Sequence, residues 1–384
     1  MSDTIQIRFT TTDSAIQLPT DAFRLPTTST PSDLTNLINS LTSATHLYTF
    51  VCNNILLQTD LSTFITTNKL SSEDSLLLHV SLTTASPQLN ESLPHPDWVY
   101  ALKLDSPTSF FSGCADGSIH RWENNILVAS STLFSNSVTD VACFMGEDTV
   151  NIVASSRDGT VKRCQVQNDS FLTLNSYGGH LNSVESLDIS PDGSMLVTGC
   201  VNGGMSLFQL EDTENSSVEA LINVNQSREI KRLEWKVEGS ILAGLGSGLL
   251  TVFDIQSSTV TSHLSTSSPI TGIDYDPSFN ITATSHFDSS IRLSDFRSNS
   301  ITHCFIAPKT SGLSSSCRIL NPFLIGGTYY DGVVRLWDIR GSLKEPVEKL
   351  VVCDEGKVKL FSMDCASNSL VCGGSDSQVS VFSF

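Results

Sequence analysis

No glycine precedes Gly113, which sets the N-terminal stretch of this 384-residue chain apart from the rest. Basic residues are scarce: 22 Lys and Arg stand against 40 Asp and Glu, a net charge of −18. A nucleic-acid grip needs clustered Lys and Arg, so this balance argues against one as the main activity. It argues equally against an anionic membrane surface and favours basic protein partners. Ten cysteines are present without a single C-x-x-C pair, so the paired ligand spacing of a zinc site is missing. Cys114, Cys143, Cys164, Cys200 and Cys372 fall in or beside predicted strands and read as small buried thiols. No apolar run approaches the ~20 residues of a membrane span. The opening MSDTIQIRFT has neither a basic n-region nor an apolar core, so no signal peptide is expected. No G-x-S-x-G, H-E-x-x-H or P-loop motif occurs. The nearest candidate, Gly244 to Gly248 (GLGSG), lies between two predicted strands and opens no helix that could present amides to a phosphate.

What is present is a repeat. DGSIHRW, DGTVKRC, NGGMSLF, SGLLTVF, DSSIRLS, DGVVRLW and DSQVSVF begin at Asp116, Asp158, Asn202, Ser247, Asp288, Asp331 and Asp376. Successive copies are 42, 44, 45, 41, 43 and 45 residues apart. A turn signal feeding a short alternating strand at this period is the signature of WD-repeat propeller blades. Each is one small sheet that buries its faces only by stacking on neighbours. The turn Asp residues (Asp116, Asp158, Asp331) and His180 read as structural hydrogen-bonding groups rather than catalytic ones. The repeats are uneven: the third is fullest, and the fourth replaces the turn Asp by Ser247 and the Trp by Phe253.

The N-terminal stretch reads differently. Ile5 to Phe9 alternates as a half-buried strand, and a second short strand is expected from Ala15 to Leu18. Thr30, Pro31 and Asp33 mark a helix start. Leu34, Leu37, Ile38 and Leu41 then place four apolar side chains on one helical face. Strands are expected at Leu47 to Val51, Ile55 to Leu57 and Leu76 to Val80. This order suits a small ubiquitin-like β-grasp, in which one helix covers a mixed sheet. The expected fold is therefore mainly β: an N-terminal ubiquitin-like β-grasp domain (1–82), a linker (83–97), and a seven-bladed WD-repeat β-propeller (98–384). The last repeat stops just after its third strand and would leave an open edge. Part of the segment from about Thr84 to Leu93 is expected to fill it.

Trp337-Asp338-Ile339-Arg340 matches the W-D-x-R pattern of propellers that dock on cullin-type ubiquitin ligases, and Trp337, Asp338 and Arg340 are the alternative site on that reading. The same Asp-to-Arg offset recurs at Asp295 and Arg297.

The strand IQIRF, the helix DLTNLINSL, and the phrases NNILLQTDL, KLSSEDSLLLHV and PHPDWVYAL resemble the Notchless-type ubiquitin-like domain joined to a WD-repeat propeller. Seven repeats and the short linker resemble the Ytm-type branch, the WD-repeat partners of Pescadillo and the Block-of-proliferation protein. The resemblance implies a non-enzymatic factor for assembly of the large (60S) ribosomal subunit and rRNA processing, working in nucleolus and nucleoplasm. It implies that the propeller docks the Block-of-proliferation partner. It also implies that midasin, a large AAA ATPase, grips the ubiquitin-like domain to release the factor from the pre-60S particle. In the family an acidic residue completes midasin's Mg²⁺ site in trans. That acid maps to Glu73, with Leu70, Ser71, Ser72 and Asp74 shaping the contact and Asp74 as the rival ligand. A carboxylate is a suitable hard oxygen ligand for Mg²⁺. The chain has no cofactor of its own on this reading, and it reaches the particle through proteins.

Overall fold

A computed structural model of the chain describes residues 4–11, 16, 18–19, 21–42, 46–53, 55–71, 75–82, 87–146, 149–178, 180–210, 216–218, 220, 222–225, 228–236, 239–353 and 356–384. Two compact units make up the chain, the first mainly Met1–Ser86, the second Pro87–Trp337 and Leu343–Ser383.

The first unit begins with β1 (Thr4–Thr10), whose alternating pattern buries Ile5, Ile7 and Phe9. It continues with β2 (Phe23–Pro26), α1 (Pro31–Thr42), β3 (Tyr48–Cys52), β4 (Ile55–Leu56), α2 (Leu61–Asn68) and β5 (Leu76–Leu82). The five strands form one mixed sheet in the order β2-β1-β5-β3-β4. The central β1–β5 pair is parallel, and the other pairs are antiparallel. Asp33 Oδ2 accepts from both the amide and the hydroxyl of Thr30 at 2.8 Å, which fixes the start of α1. Leu34 and Ile38 are fully buried and Leu37 packs against the same core. Leu41, in the last turn, is 50% exposed, so the expected four-residue face narrows to three.

Two N-terminal expectations need correction. The strand that follows β1 among the described residues is not the one expected from Ala15 to Leu18. Ile16 and Leu18 lie outside any strand, and Ala15 and Gln17 lie outside the described residues. The pairing strand is β2, in which Phe23 and Leu25 lean on the core and Pro26 pairs with Thr4 at the end of the ladder. The second correction is α2. Asp60 caps it, accepting from the Thr63 amide at 3.0 Å and hydroxyl at 2.7 Å. Leu61, Phe64 and Ile65 are buried one helical turn apart. The helix closes on Lys69 in the left-handed region (φ 53°), and the Leu70 amide bonds back to Ile65.

Seven further sheets follow among the described residues. Their innermost strands are Val99–Ser106, Val138–Met145, Val184–Ile189, Ile230–Lys236, Ile270–Asp276, Ser314–Asn321 and Leu360–Ala366. Each packs on the next, and the seventh packs back on the first, so the cycle closes. Each repeat phrase forms the turn into a third strand. The side chains of Asp116, Asp158, Asn202, Asp288, Asp331 and Asp376 accept from the amide two residues on at 2.9–3.3 Å. Sheet two gains a fifth strand, Ser216–Val218, parallel to its outer strand. The outer strand of sheet seven is β6 (Gln88–Pro94), antiparallel to Gln378–Ser383. It begins at Gln88; residues 83–86 lie outside the described residues.

Gly113, Gly199, Gly244 and Gly373 occupy second strands where apolar side chains of the next sheet press in. A Cβ on Gly373 would lie 2.9 Å from Val99 Cβ and Cγ1. Gly244 therefore serves sheet packing, and Gly248 (φ 80°) serves the turn, so GLGSG is strand and turn.

Candidate functional site

All seven innermost strands carry the same irregularity. The register slips by one residue between their first and third positions, as at Val99/Ala101, Val184/Ser186 and Leu360/Ser362. Such a bulge leaves the second residue unpaired and re-aims it. Those second residues are Tyr100, Thr139, Glu185, Lys231, Thr271, Ser315 and Phe361, and all seven line one bowl of about 300 Å³ at the mouth of the axis. Three of them tie neighbouring sheets: Thr139, Thr271 and Ser315 donate to the carbonyls of Val184, Ser314 and Leu360. Glu185 accepts from Ser183, and Lys231 pairs with Glu229. Tyr100 and Phe361 instead stack on one another with centroids 4.9 Å apart, as part of an aromatic cluster with Trp98 and Tyr330.

Deeper along the axis, the fifth residues of the same strands form a charged ring: Lys103, Asp188, Glu234, Asp274, Arg318 and Asp364, interrupted by Ala142. Asp364 Oδ2 accepts from the Leu104 amide, Asp188 from Trp235, and Asp274 from Ile319, each on the following sheet. Arg318 Nε donates to Asp364 at 2.9 Å. Asp364 raises the pKa of Lys103 above the ordinary lysine range. Burial pushes the Asp364 carboxyl up, but Lys103, Arg318 and the Leu104 amide outweigh it and hold the carboxyl below its usual value. The other arc behaves oppositely. Burial raises Asp188, Glu234 and Asp274, and Glu234 rises further because Asp188 and Asp274 flank it. The charges are spent on one another and on amides of the next sheet. Thiols nearby are suppressed: burial pushes Cys143 and Cys365 up to about 12. The arrangement holds sheets together and presents no activated nucleophile.

Sequence reasoning did not single out this ring. Its signal is a charge inside an apolar strand 12 to 14 residues ahead of a repeat phrase, as with Lys103 before Asp116 and Asp364 before Asp376. His180 binds Thr198 and Cys200, and His95 sits among Leu93, Ser112 and Trp122, with burial lowering its pKa to about 4.

Of the residues expected at the Mg²⁺ contact, Leu70 packs on the core of the first unit and Ser71 is exposed. Ser72, Glu73 and Asp74 lie outside the described residues. Trp337 is fully buried against Phe305. Asp338 and Arg340 form a two-point pair at 2.7 and 2.9 Å, with the Arg340 amide also on Asp338. Asp295 and Arg297 repeat the arrangement. The same Asp-to-Arg offset thus builds a turn clasp at both places, with the arginine donating to the aspartate two residues before it.

Comparison with known proteins gives two domain families. The NLE (NUC135) domain matches residues 5–65. The WD domain, G-beta repeat, matches residues 88–123 and 172–209. A protein named ribosome biogenesis protein WDR12 homolog from Drosophila pseudoobscura pseudoobscura is 24% identical over 404 residues, covering 98% of this chain and 95% of that protein. The same name belongs to relatives from Ixodes scapularis (24% identical, 98% of each chain) and Dictyostelium discoideum (22% identical, 98% of this chain, 94% of that protein). Matches to an NLE domain and to WD repeats therefore stand in one chain, and its likeness to these ribosome biogenesis proteins extends over nearly its full length.

Proposed function

We propose that this chain, which joins an NLE domain to WD repeats, is a non-enzymatic assembly factor for the large ribosomal subunit, required for rRNA processing in nucleolus and nucleoplasm. The observation that carries the reading is the end-to-end span of the relatives, each named for ribosome biogenesis. The first unit is a ubiquitin-like domain on this reading; its mixed sheet, with a parallel central pair and the helix α1 packed on it, supports that. The second is a seven-bladed propeller, supported by seven sheets whose inner strands close a cycle. Its task is to dock the Block-of-proliferation-type propeller protein, and with it Pescadillo, on the pre-60S particle. The net charge of −18 supports attachment through proteins rather than through rRNA.

The first unit is the handle that midasin grips. Glu73 supplies a carboxylate to midasin's Mg²⁺, which keeps open positions for incoming oxygen ligands. Support comes from the flanks: Leu70 is anchored in the core, and β5 starts at Leu76, so a short segment joins two fixed points. ATP hydrolysis by midasin then pulls the factor away. The test is calorimetric titration of the full chain with midasin's isolated metal-site domain in Mg²⁺. Glu73→Ala should abolish binding and Asp74→Ala should leave most of it, with the Block-of-proliferation partner still bound by both. Equal affinity of wild type and Glu73→Ala would remove Glu73 from the role.

A further inference from the structure

The bowl formed by the seven bulges is two-sided. On one side the rings of Tyr100 and Phe361 are stacked at 30°, Trp98 lies 5.9 Å from Phe361, and Tyr330 meets it edge-on at 5.8 Å. Trp98 is nevertheless 45% exposed, and Phe287 on the same bowl is 61% exposed. Rings already packed on one another lose little freedom when a partner covers them, which is the property of interface anchors. Two cations lie on this platform. The Arg157 guanidinium is 4.9 Å from the Tyr100 centroid, and Lys359 Nζ is 5.4 Å from that of Tyr330. Among the described residues neither forms an ion pair, in a chain with 40 acids to 22 bases. An aromatic-backed guanidinium without a carboxylate is a prepared receptor for one. The opposite side, with Glu185 and the Lys231–Glu229 pair, offers no second acid site.

We infer that this mouth receives a protein segment presenting a carboxylate beside an aromatic or aliphatic side chain, the carboxylate on Arg157 and the apolar group on Trp98, Tyr100 and Phe361. The inference rests on reading the second unit as a docking platform, and it adds the patch and the chemistry of what the patch takes. A nucleic acid could also stack on rings and pair with Arg157. The −18 charge and the Glu185 carboxylate on the same bowl favour a protein segment with a localised negative charge over a polyanion.

The probe is a phage-displayed library of random dodecapeptides panned on the full chain, with enriched peptides then measured by fluorescence anisotropy at physiological salt. Enriched peptides should carry Asp or Glu next to Phe, Leu, Trp or Tyr. Arg157→Glu should weaken them about tenfold or more, and the Asp→Asn peptide should lose a similar factor against wild type. Trp98→Ala should weaken binding while the chain, though less stable for the lost ring contacts, stays folded at the assay temperature. Enrichment of peptides without acids, equal binding by Arg157→Glu, or tighter binding of a U20 oligoribonucleotide lost in Arg157→Glu would each overturn the inference. A separate pull-down with the purified Block-of-proliferation-type propeller decides the docking reading itself: absence of binding to wild type defeats that reading, whereas the peptide measurement alone decides the patch.

Discussion

Asp364 Oδ2 accepts a hydrogen bond from the Leu104 amide at 2.8 Å, across 260 positions of chain. The same relation recurs between Asp188 and Trp235 and between Asp274 and Ile319. A carboxylate on one inner strand thus holds the amide of the next, and the Asp364 bond joins the seventh sheet to the first. Stacked-sheet cycles must seal two ends of chain that share no covalent link. Here the seal has three parts: β6 on the outer edge, Gly373 against Val99 between the sheets, and Asp364 on the axis.

Asp364→Ala should destabilise the second unit by about 3–5 kcal/mol, because it removes the acid between two cations and leaves a buried amide without its acceptor. The residue is 4% exposed, so solvent does not make up the loss. Asp364→Asn, which keeps shape and an acceptor but not charge, should cost less. Urea unfolding followed by tryptophan fluorescence measures both. Equal stability of Asp364→Ala and wild type would show that the axis does not seal the cycle.

Glu234 gives a pH dependence of opposite sign to that of Asp364. Its folded pKa is raised by burial and by Asp188 and Asp274. Between its unfolded value, about 4.3, and its folded one, the folded chain binds the extra proton. Stability from this group is therefore present at low pH and lost as pH rises through the folded pKa. Glu234→Gln should flatten that slope and raise the melting temperature more at pH 8 than at pH 5. Asp364, held low, works the other way: its contribution is present above about pH 3.9 and is lost as pH falls through the folded value. A Glu234→Gln variant with the wild-type pH profile would contradict this assignment.

Gly373→Val should cost about 1–3 kcal/mol by overpacking, since even a Cβ would stand 2.9 Å from Val99. Val99→Ala should restore part of the loss in the double variant. Additive destabilisation in the four-way cycle would show that the two positions do not meet.

The repeat phrases were readable because each is local: an Asx turn and the strand it starts lie within seven residues. Gly244 to Gly248 was readable for the same reason. The bulges, the mouth and the axial ring were not, since each is made by equivalent residues of different repeats, and Tyr100 or Glu234 alone looks like any strand residue. In the first unit α1 was legible through Thr30, Pro31 and Asp33. α2 was overlooked because LSTFITTN is rich in β-branched residues that read as strand or loop. The second strand reads as Ala15 to Leu18 because that stretch alternates as well as Phe23 to Pro26 does. The core takes up Ile16 and Leu18 as well as Phe23 and Leu25, so only the backbone ladder between Phe23–Pro26 and β1 tells the two segments apart.

The two ends of α2 supply a last expectation, with opposite signs. Asp60 satisfies the Thr63 amide at the N-terminus, so Asp60→Ala should speed hydrogen exchange in the first turn of α2 and lower the melting temperature of the first unit. At the other end Lys69 sits at φ 53°, where a side chain strains the backbone and glycine does not. Lys69→Gly should therefore leave exchange in α2 slow and stabilise by about 0.5 kcal/mol or less once the entropy of the unfolded glycine is counted. Leu70 follows directly and packs on the core, so a loosened α2 should also loosen the start of the segment that carries Glu73. On the proposed midasin reading, Asp60→Ala should consequently weaken binding of the midasin metal-site domain several-fold, whereas Lys69→Gly should not. If Asp60→Ala exchanged faster in α2 yet bound with wild-type affinity, the helix would be a structural element without influence on that binding.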